Sequence, residues 1–330
     1  MPDKPGMFLS RLALTAILCA AWLVACAGPG PVPSPSPTAG GSTQAVRQPT
    51  ATGTQAPIRT SPPAPSDTPA PTPVPLAASV NGEGITLEEF EQEISRFELA
   101  QASLGIDPAA LGNYRATVLE TLIQQKVMEL AALQAGLSLS EEELQAQVDQ
   151  IFQSTGGEQA FTVWLEANLY TTLQFRVALK SQILASRITE QIAGLAPTTA
   201  EHIHARHILV ATESEALDLL AQIQQGADLA ILALTYSLDL STRAAGGDLG
   251  WFPRGLLTAP EAEEAAFGLQ PDEISGVIRS SMGFHIIQSL GRDPDRELSP
   301  EALQLYRTRT VEAWLAEQMA AAQIERMITP

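Results

Sequence analysis

Two short apolar runs of strand type, each containing a histidine, bound the segment from His204 to Ser289. Between them lie two helical patterns, a glycine-rich turn and a third short helix. A chain that alternates short strands with helices and tight turns in this order is typical of a small antiparallel sheet surrounded by helices. The segment therefore predicts an α+β unit. Its pieces are HARHILV (His204–Val210), helices at Glu213–Gly226 and Leu229–Tyr236, GGDLGWFPRG (Gly246–Gly255), a helix at Glu261–Leu269, and a hairpin of Val277–Ile278 with His285–Ser289.

These motifs, taken in order, resemble the parvulin family of peptidyl-prolyl cis-trans isomerases, which occurs in exported foldases of the PrsA and SurA kind. The resemblance extends over roughly ninety residues and several separated motifs. It rests on ARHILV, YSLD, GGDLGWF, AAFGLQPDEIS and GFHIIQSL. It implies an α+β fold in which a parvulin domain, residues 201–293, is inserted between parts of an all-α chaperone domain of the SurA N-terminal type.

The same resemblance implies the roles of individual residues. His207 and His285 match the family's paired active-site histidines. Asp239, in YSLD, matches a catalytic position that holds cysteine in some members and aspartate in many others. Rotation about an X–Pro bond breaks no covalent bond, so neither a metal nor a cofactor is expected. The positions matching the proline-binding surface are Leu249, Leu257, Ala262, Phe267 and Met282.

One matched position departs from the family's pattern. Five residues before Phe267 the family usually carries a bulky apolar side chain, whereas this chain has Ala262. An alanine there predicts a gap beside the proline ring unless Leu256 or Leu257 fills it. The predicted function is isomerisation of X–Pro bonds in unfolded exported proteins. The alternative is a non-catalytic extracytoplasmic holdase with a degenerate parvulin domain.

The N-terminus has the pattern of a bacterial lipoprotein signal. Basic residues precede an apolar run, Leu12–Val24, that is shorter than the about 20 residues of a membrane-spanning helix. The run ends in Leu-Val-Ala-Cys, which resembles a lipobox and predicts a signal peptide at 1–25 and lipidation of Cys26. Residues 26–77 hold fourteen of the chain's 24 prolines, a composition that predicts a disordered tether.

Helical periodicity dominates on both sides of the central unit. Residues 78–197 begin with a predicted hairpin at Asn81-Gly82, and capping boxes predict helices that start after Thr86 and Ser140. This part resembles the chaperone region of SurA- and PrsA-like proteins, and its helices either bind peptides or form a scaffold. Residues 298–328 predict a last helix with a wide apolar stripe. The resemblance implies that this helix folds back onto the first helical part.

The charge of the chain restricts its partners. A formal net charge of −18 argues against a nucleic-acid partner, because binding phosphates requires a basic surface. The predicted partners are unfolded or partly folded exported polypeptides, together with the membrane through a lipid on Cys26. The predicted localisation is therefore extracytoplasmic, anchored by lipid to the bacterial cell membrane.

The remaining polar and aromatic residues receive structural interpretations. His202, His204 and His207 form an HxHxxH pattern, but strand alternation places the first two on the opposite face from the third. This alternation disfavours a metal site. The other predictions are core positions for Trp251 and Phe252, and a solvated helix face for Glu263–Glu264.

Overall fold

The computed structural model describes residues 74–329. The predicted signal peptide, Cys26, and all of the predicted tether before residue 74 lie outside the described residues. Among residues 74–329, no helix is both long enough and apolar enough to cross a membrane. The first part of the described chain is a hairpin followed by helices and one 3₁₀ turn (Pro108–Leu111): β1 (Leu76–Val80), β2 (Glu83–Thr86), α1 (Leu87–Ser103), α2 (Tyr114–Gln134), α3 (Glu141–Thr155), α4 (Glu158–Ala167) and α5 (Thr172–Ala193).

Side-chain caps start two of these helices at the positions that the sequence predicts. Thr86 accepts a hydrogen bond from the backbone N–H of Glu89, and the Glu89 carboxylate accepts one from the N–H of Thr86. Ser140 and Glu143 form the same box before α3. Each cap stabilises its helix by about 1 kcal/mol. Gly156 ends α3 with a φ of 103°, a left-handed conformation that glycine adopts without strain.

The inserted unit is built on a four-stranded antiparallel sheet with helices around it, which confirms the predicted α+β class. The strand order is β4-β3-β6-β5. Its elements are β3 (Thr199–Val210), α6 (Glu213–Gln224), α7 (Leu229–Tyr236), α8 (Leu240–Arg243), β4 (Asp248–Pro253), α9 (Pro260–Gly268), β5 (Ile278–Ser280) and β6 (Gly283–Glu297).

Strand alternation gives this sheet two different faces. On one face, Ile208 and Ile286 pack against the inward sides of α6 and α7. On the other face, Ala205 and Ile287 pack with α9 and with Phe252 of β4. The two faces therefore have separate apolar cores, and the α9 face is the one on which the site is built.

The end of the chain returns to the first helical part. In α10 (Pro300–Ala321), Leu315 and Met319 pack on the core of β1, α1 and α2. The chain then adds β7 (Ile324–Arg326) antiparallel to β1, which gives a second sheet of order β2-β1-β7. These contacts confirm the insertion of the parvulin-like unit into a helical domain. The predicted helix at 298–328 stops short of its expected end because the free edge of β1 pairs with the last residues as a strand.

The two chain connections between the units run side by side. The pairing of β3 with β6 begins at Thr199 and Glu297 and continues to Val210 and Phe284. One step outside this ribbon, the N–H of Leu298 donates to the carbonyl of residue 198 at 2.9 Å. The incoming and outgoing segments are therefore hydrogen-bonded to each other.

Candidate active site

Both predicted active-site histidines lie on the α9 face of the sheet. His207 follows Ala205 by two residues on β3, and His285 precedes Ile287 by two residues on β6, so all four side chains project on the same side. The Nδ1 atoms of the two rings are 3.4 Å apart, and the ring centroids are 5.6 Å apart. Both histidines are buried, His285 to 1% exposure. The sheet therefore places the two imidazoles in contact.

Asp239 joins the pair from the loop between α7 and α8. One carboxylate oxygen, Oδ2, lies 2.8 Å from Nε2 of His207 and accepts a hydrogen bond from the Thr242 hydroxyl at 2.6 Å. The other, Oδ1, accepts from the N–H and the hydroxyl of Ser241, so Asp239 is also the N-cap of α8. Burial by itself would raise the pKa of this carboxyl, but the hydrogen bonds from Ser241, Thr242 and His207 hold the pKa well below its ordinary value. Asp239 is therefore an ionised acceptor, and His207 donates to it from Nε2.

Ser237 ties this loop to the end of β3, a role that the sequence reasoning did not assign. Its fully buried hydroxyl accepts from the N–H of Leu209 at 3.2 Å and from the N–H of Asp239 at 3.3 Å. The N–H of Leu238 donates to the carbonyl of Leu209 at 2.7 Å. The backbone that carries the carboxylate is thereby fixed. The available signal was a serine two positions before a capping aspartate, which is typical of a hydrogen-bonded turn.

His285 connects the site to β5 through Ser280, a second residue that sequence reasoning missed. Burial first, and then the neighbouring His207, lower the pKa of His285 to about 4, so this ring is uncharged at neutral pH. Its Nε2 lies 2.7 Å from the Ser280 hydroxyl, which also accepts from the N–H of Met282 at 3.0 Å. A continuous polar chain therefore runs from β5 across the sheet to Asp239.

The two imidazoles take part in this polar chain through all four of their ring nitrogens. Nε2 of His285 faces the Ser280 hydroxyl, and Nδ1 of His285 faces Nδ1 of His207. Nε2–H of His207 then donates to the carboxylate of Asp239. Each ring is held by both of its nitrogens, so its orientation is fixed by the carboxylate at one end and by the hydroxyl at the other.

Four of the five residues predicted to bind proline belong to one apolar cluster on this face. The cluster reaches the histidines through Ile278, which packs on it and pairs with His285 across β5 and β6. Met282 lies elsewhere, 49% exposed in the turn between these strands, next to Ser280. The structure therefore brings a polar chain and an apolar surface together and leaves Met282 outside that surface. The members of the cluster among the predicted residues are Leu249, Leu257, Ala262 and Phe267.

The structure shows which of the two leucines, Leu256 or Leu257, lies near Ala262. Ala262 is 2% exposed, and Leu257 packs on the cluster that contains it. Leu256 lines a different groove together with His202 and Trp251. Leu257 is therefore the leucine placed to fill the space that an alanine leaves at this position.

The prediction of a solvated helix face at Glu263–Glu264 is wrong for Glu263. Its side chain is buried, and its two carboxylate oxygens accept from the N–H of Gly255 at 2.7 Å and of Leu257 at 3.0 Å. Glu264 is exposed and pairs with Arg254 at 2.7 Å. The loop after β4 has backbone N–H groups without strand partners, and a carboxylate in the first turn of α9 satisfies them. Glu263 thereby holds the loop that carries Leu257.

The core prediction for the next aromatic pair is correct for Phe252, which is buried, and wrong for Trp251, which is exposed. Trp251 packs on the imidazole of His204, with ring centroids 5.4 Å apart, and on the guanidinium of Arg296 at 4.8 Å. His204 also contacts Asp248 at 2.8 Å through Nε2. Within residues 74–329, no group of three or more histidine, cysteine, aspartate or glutamate side chains is placed to hold a metal ion.

Two protein families match this chain in consecutive parts. The PPIC-type PPIase domain family matches residues 202–290, and the SurA-like N-terminal domain family matches residues 64–189. The first match contains every residue of the polar chain and of the apolar cluster described above. The order of the two matches is the order of the two units in the fold.

Proteins similar along most of this chain are foldases. The foldase protein PrsA of Caldanaerobacter subterraneus subsp. tengcongensis is 31% identical over 233 residues, which are 66% of this chain and 73% of that protein. The foldase protein PrsA of Halalkalibacterium halodurans is 31% identical over 237 residues, 64% of this chain and 69% of that protein. A crystal structure of PrsA from Bacillus cereus aligns with 72% of this chain and 84% of its own at 21% identity and a TM-score of 0.44. The chain belongs to the PrsA family of foldases and is a parvulin-type peptidyl-prolyl cis-trans isomerase joined to a SurA-like chaperone domain.

Proposed function

We propose that the polar chain and the apolar cluster are the two sides of one isomerase site, and that its substrates are X–Pro bonds in unfolded polypeptides outside the cytoplasm. His207, Asp239 and His285 line the polar side. The proline ring lies on the apolar side, against Leu249, Leu257, Ala262 and Phe267. Met282 contacts the substrate from the turn beyond Ser280.

The reaction proposed for this site is rotation about the X–Pro peptide bond. Amide resonance opposes it with a barrier of roughly 18–20 kcal/mol, so the uncatalysed step takes on the order of 10–100 s. The planar amide carries separated charge on its oxygen and nitrogen, and twisting the bond removes the resonance that separates it. An apolar surface that excludes water therefore disfavours the planar forms more than the twisted form, which lowers the barrier.

The polar chain orients the imidazole rings and determines the charge of the site. Because the pKa of His285 is lowered, the ring beside the apolar cluster remains uncharged at neutral pH. Asp239 already accepts from Ser241, Thr242 and His207, so its role is to orient His207. Neither a covalent intermediate nor a proton transfer to the peptide is required.

One observation carries this proposal: the unbroken contact from Asp239 through His207 and His285 to Ser280, on the sheet face that holds the apolar cluster. A histidine in a strand is commonly a satisfied core residue, so either ring alone would be weak support. Two rings in contact, with a carboxylate at one end and an apolar surface alongside, form a site with the two environments that the rotation needs.

The test is the cis-to-trans relaxation of a proline-containing tetrapeptide, followed with purified protein. We expect His207→Ala and Asp239→Asn each to lower kcat/KM about ten- to hundredfold, because each removes or reverses a hydrogen bond to a charged group. Glu264→Gln, an exposed position on α9, is the control and should leave the rate unchanged.

The opposite result has a defined meaning. If the unaltered protein does not accelerate relaxation but still suppresses aggregation of an unfolded protein, the chain is a holdase and the isomerase roles proposed for these residues are wrong.

Attachment to the membrane is the second part of the proposal. Cys26 follows the apolar run of a signal peptide and takes the lipid, and the proline-rich residues after it separate the folded units from the membrane surface. We expect Cys26→Ser to move the protein from the membrane fraction to the soluble fraction of cells, and acyl chains to be detected on the N-terminal peptide by mass spectrometry. Membrane association that survives this substitution would reject the anchor.

A further inference from the structure

The loop between β4 and α9 is contacted by both units of the fold. The N–H of Gly255 donates to the carboxylate of Glu263 on α9 at 2.7 Å, and the carbonyl of Arg254 accepts from the guanidinium of Arg309 on α10 at 3.3 Å. This N–H and this carbonyl belong to one planar trans peptide group, in which they point in opposite directions. The Arg254–Gly255 peptide group therefore lies between α9 and α10.

A glycine allows the guanidinium to approach the loop this closely. A Cβ on Gly255 would overlap the guanidinium of Arg309, so any other residue would push Arg309 away from the loop. Gly255 also has a φ of 94°, a left-handed conformation that other residues adopt only with strain. The backbone of the loop and the side chain of Arg309 therefore fit together at a position that requires glycine for both reasons.

Tyr306 extends the contact along the same side of α10. It precedes Arg309 by three residues, a spacing that places two side chains next to each other on a helix. Tyr306 is partly buried, and burial raises the pKa of its hydroxyl, on which the charges of Arg309, Glu263 and Arg254 also act. This side of α10 therefore lies against the loop and the first turn of α9.

Arg309 is carried by a helix that belongs to the helical domain. Val311 and Trp314 of α10 pack on the buried core between α2 and α5, and Leu315 and Met319 pack on the core of β1, α1 and α2. The helix is therefore fixed to that domain close to Arg309. The contact of Arg309 with the loop joins the two units at a point separate from the two chain connections.

We propose that Arg309 is a positioning residue of the isomerase site, which holds from the helical domain the loop that presents Leu257 to the proline ring. The inference rests on the proposed function of the site, in which Leu257 is part of the proline-binding surface. Glu263 sets the position of the loop through two N–H groups, and Arg309 prevents the Arg254–Gly255 peptide group from turning away from that position. Proline binding by the inserted unit therefore depends on a residue of the helical domain.

The experiment measures kcat and KM of the purified protein for a proline tetrapeptide. Arg309→Gln removes the guanidinium and its charge, and we expect KM to rise about two- to fivefold with kcat unchanged, as loss of one exposed hydrogen bond to the loop implies. Arg307→Gln is the matched control, because it removes the same charge from another exposed position of α10. Its KM should equal that of the unaltered protein.

Two further measurements separate this role from a general loss of stability. In Arg309→Gln the N–H groups of Gly255 and Leu257 should exchange with solvent about two- to fivefold faster, while the N–H groups of β3 and β6 exchange at unchanged rates. In the double variant Glu263→Gln, Arg309→Gln, KM should rise by less than the product of the two single effects, because both residues act on the same peptide group.

Each contrary result has a separate meaning. No acceleration of the tetrapeptide by the unaltered protein contradicts the proposed function of the site. Normal acceleration with an unchanged KM in Arg309→Gln, or an equal rise in KM for Arg307→Gln, overturns the role of Arg309. Faster exchange throughout β3 and β6 in Arg309→Gln also overturns it, because the substitution would then act on the stability of the whole unit.

Discussion

At the scale of single residues, the site holds two titratable groups in fixed charge states. The hydrogen bonds at Asp239 keep its pKa below the ordinary value, and burial keeps the pKa of His285 at about 4. His207 lies between them and contacts both. At neutral pH the polar chain therefore has a negative charge at one end and an uncharged ring at the other. Because burial lowers the pKa of His285 only in the folded state, the protonation of this ring is linked to folding stability.

The linkage predicts how stability depends on pH. Because the pKa of His285 is about 4 in the folded protein and about 6.5 in an unfolded chain, the unfolded state binds more protons between these values. The free energy of unfolding should therefore fall as the pH falls from about 6.5 to about 4, by up to about 1.4 kcal/mol per pH unit. The lowered pKa of Asp239 adds a further loss that begins in the ordinary titration range of a carboxyl and continues below it.

Urea unfolding at pH values from 4 to 8 measures this dependence. His285→Asn cannot be protonated and should show a smaller slope between about pH 4 and 6.5. Equal slopes for the variant and the unaltered protein would show that His285 is not the group responsible.

Residues that belong to sequence motifs could be placed in the site before the structure was known. His207, Asp239 and His285 each lie inside a short recognisable run, and the structure brings all three into contact. Ser237, inside the YSLD run, has only the signal of a local turn, and its bond to the N–H of Leu209 on β3 leaves no mark in the sequence. Glu263 lies in no motif, because its partners are backbone N–H groups of the preceding loop. A side chain that bonds to a distant backbone leaves no periodic signal in the sequence.

At the scale of elements, the backbone N–H groups of the loop between β4 and α9 depend on a single carboxylate. Glu263 accepts from the N–H groups of Gly255 and Leu257, and no strand offers these donors a partner. Arg254 at the start of the loop lies over the ring of Phe267 at 4.2 Å, whereas its ion pair with Glu264 is exposed to solvent and contributes little. The position of Leu257 against the apolar cluster therefore follows from contacts made by α9.

Substitution of this carboxylate should act on substrate binding. Glu263→Gln keeps the size of the side chain but replaces one accepting oxygen by a donor, which opposes one of the two backbone N–H groups. We expect KM for a proline tetrapeptide to rise about three- to tenfold with little change in kcat, as loss of one such hydrogen bond would give. Glu264→Gln on the same helix serves as the control, and an equal effect of both substitutions would contradict the role given to Glu263.

At the scale of the whole molecule, the last residues complete the first domain. Leu315, Met319 and Ile324 pack on the core of β1, α1 and α2, and β7 covers one edge of β1. The sequence predicted that so apolar a helix must be covered, and the family resemblance implied that it returns to the first helical part. The sequence did not predict β7, because β7 pairs with the free edge of β1, some 240 residues earlier in the chain. Helical periodicity alone extended the predicted helix to residue 328.

A chain ended after Ala321 tests this closure. It loses β7 together with the contacts of Ile324 and Ile328 with the core, and we expect the first domain to lose about 2–3 kcal/mol of unfolding free energy, as partial exposure of two isoleucines implies. Urea unfolding measures the loss. Tetrapeptide isomerisation, which depends on residues 199–297 and on α10, should persist in the same preparation, and a parallel loss of both would show that the two units unfold together.

The side-by-side course of β3 and β6 at Thr199 and Glu297 has a consequence for how the two units are connected. Paired antiparallel strands keep their backbones about 5 Å apart, a gap that a tight turn of a few residues closes. A deletion of everything between these points would leave the flanking helices and the β1–β7 pairing geometrically undisturbed. The two connecting segments could therefore be joined by a short turn without moving the ends of the surrounding body.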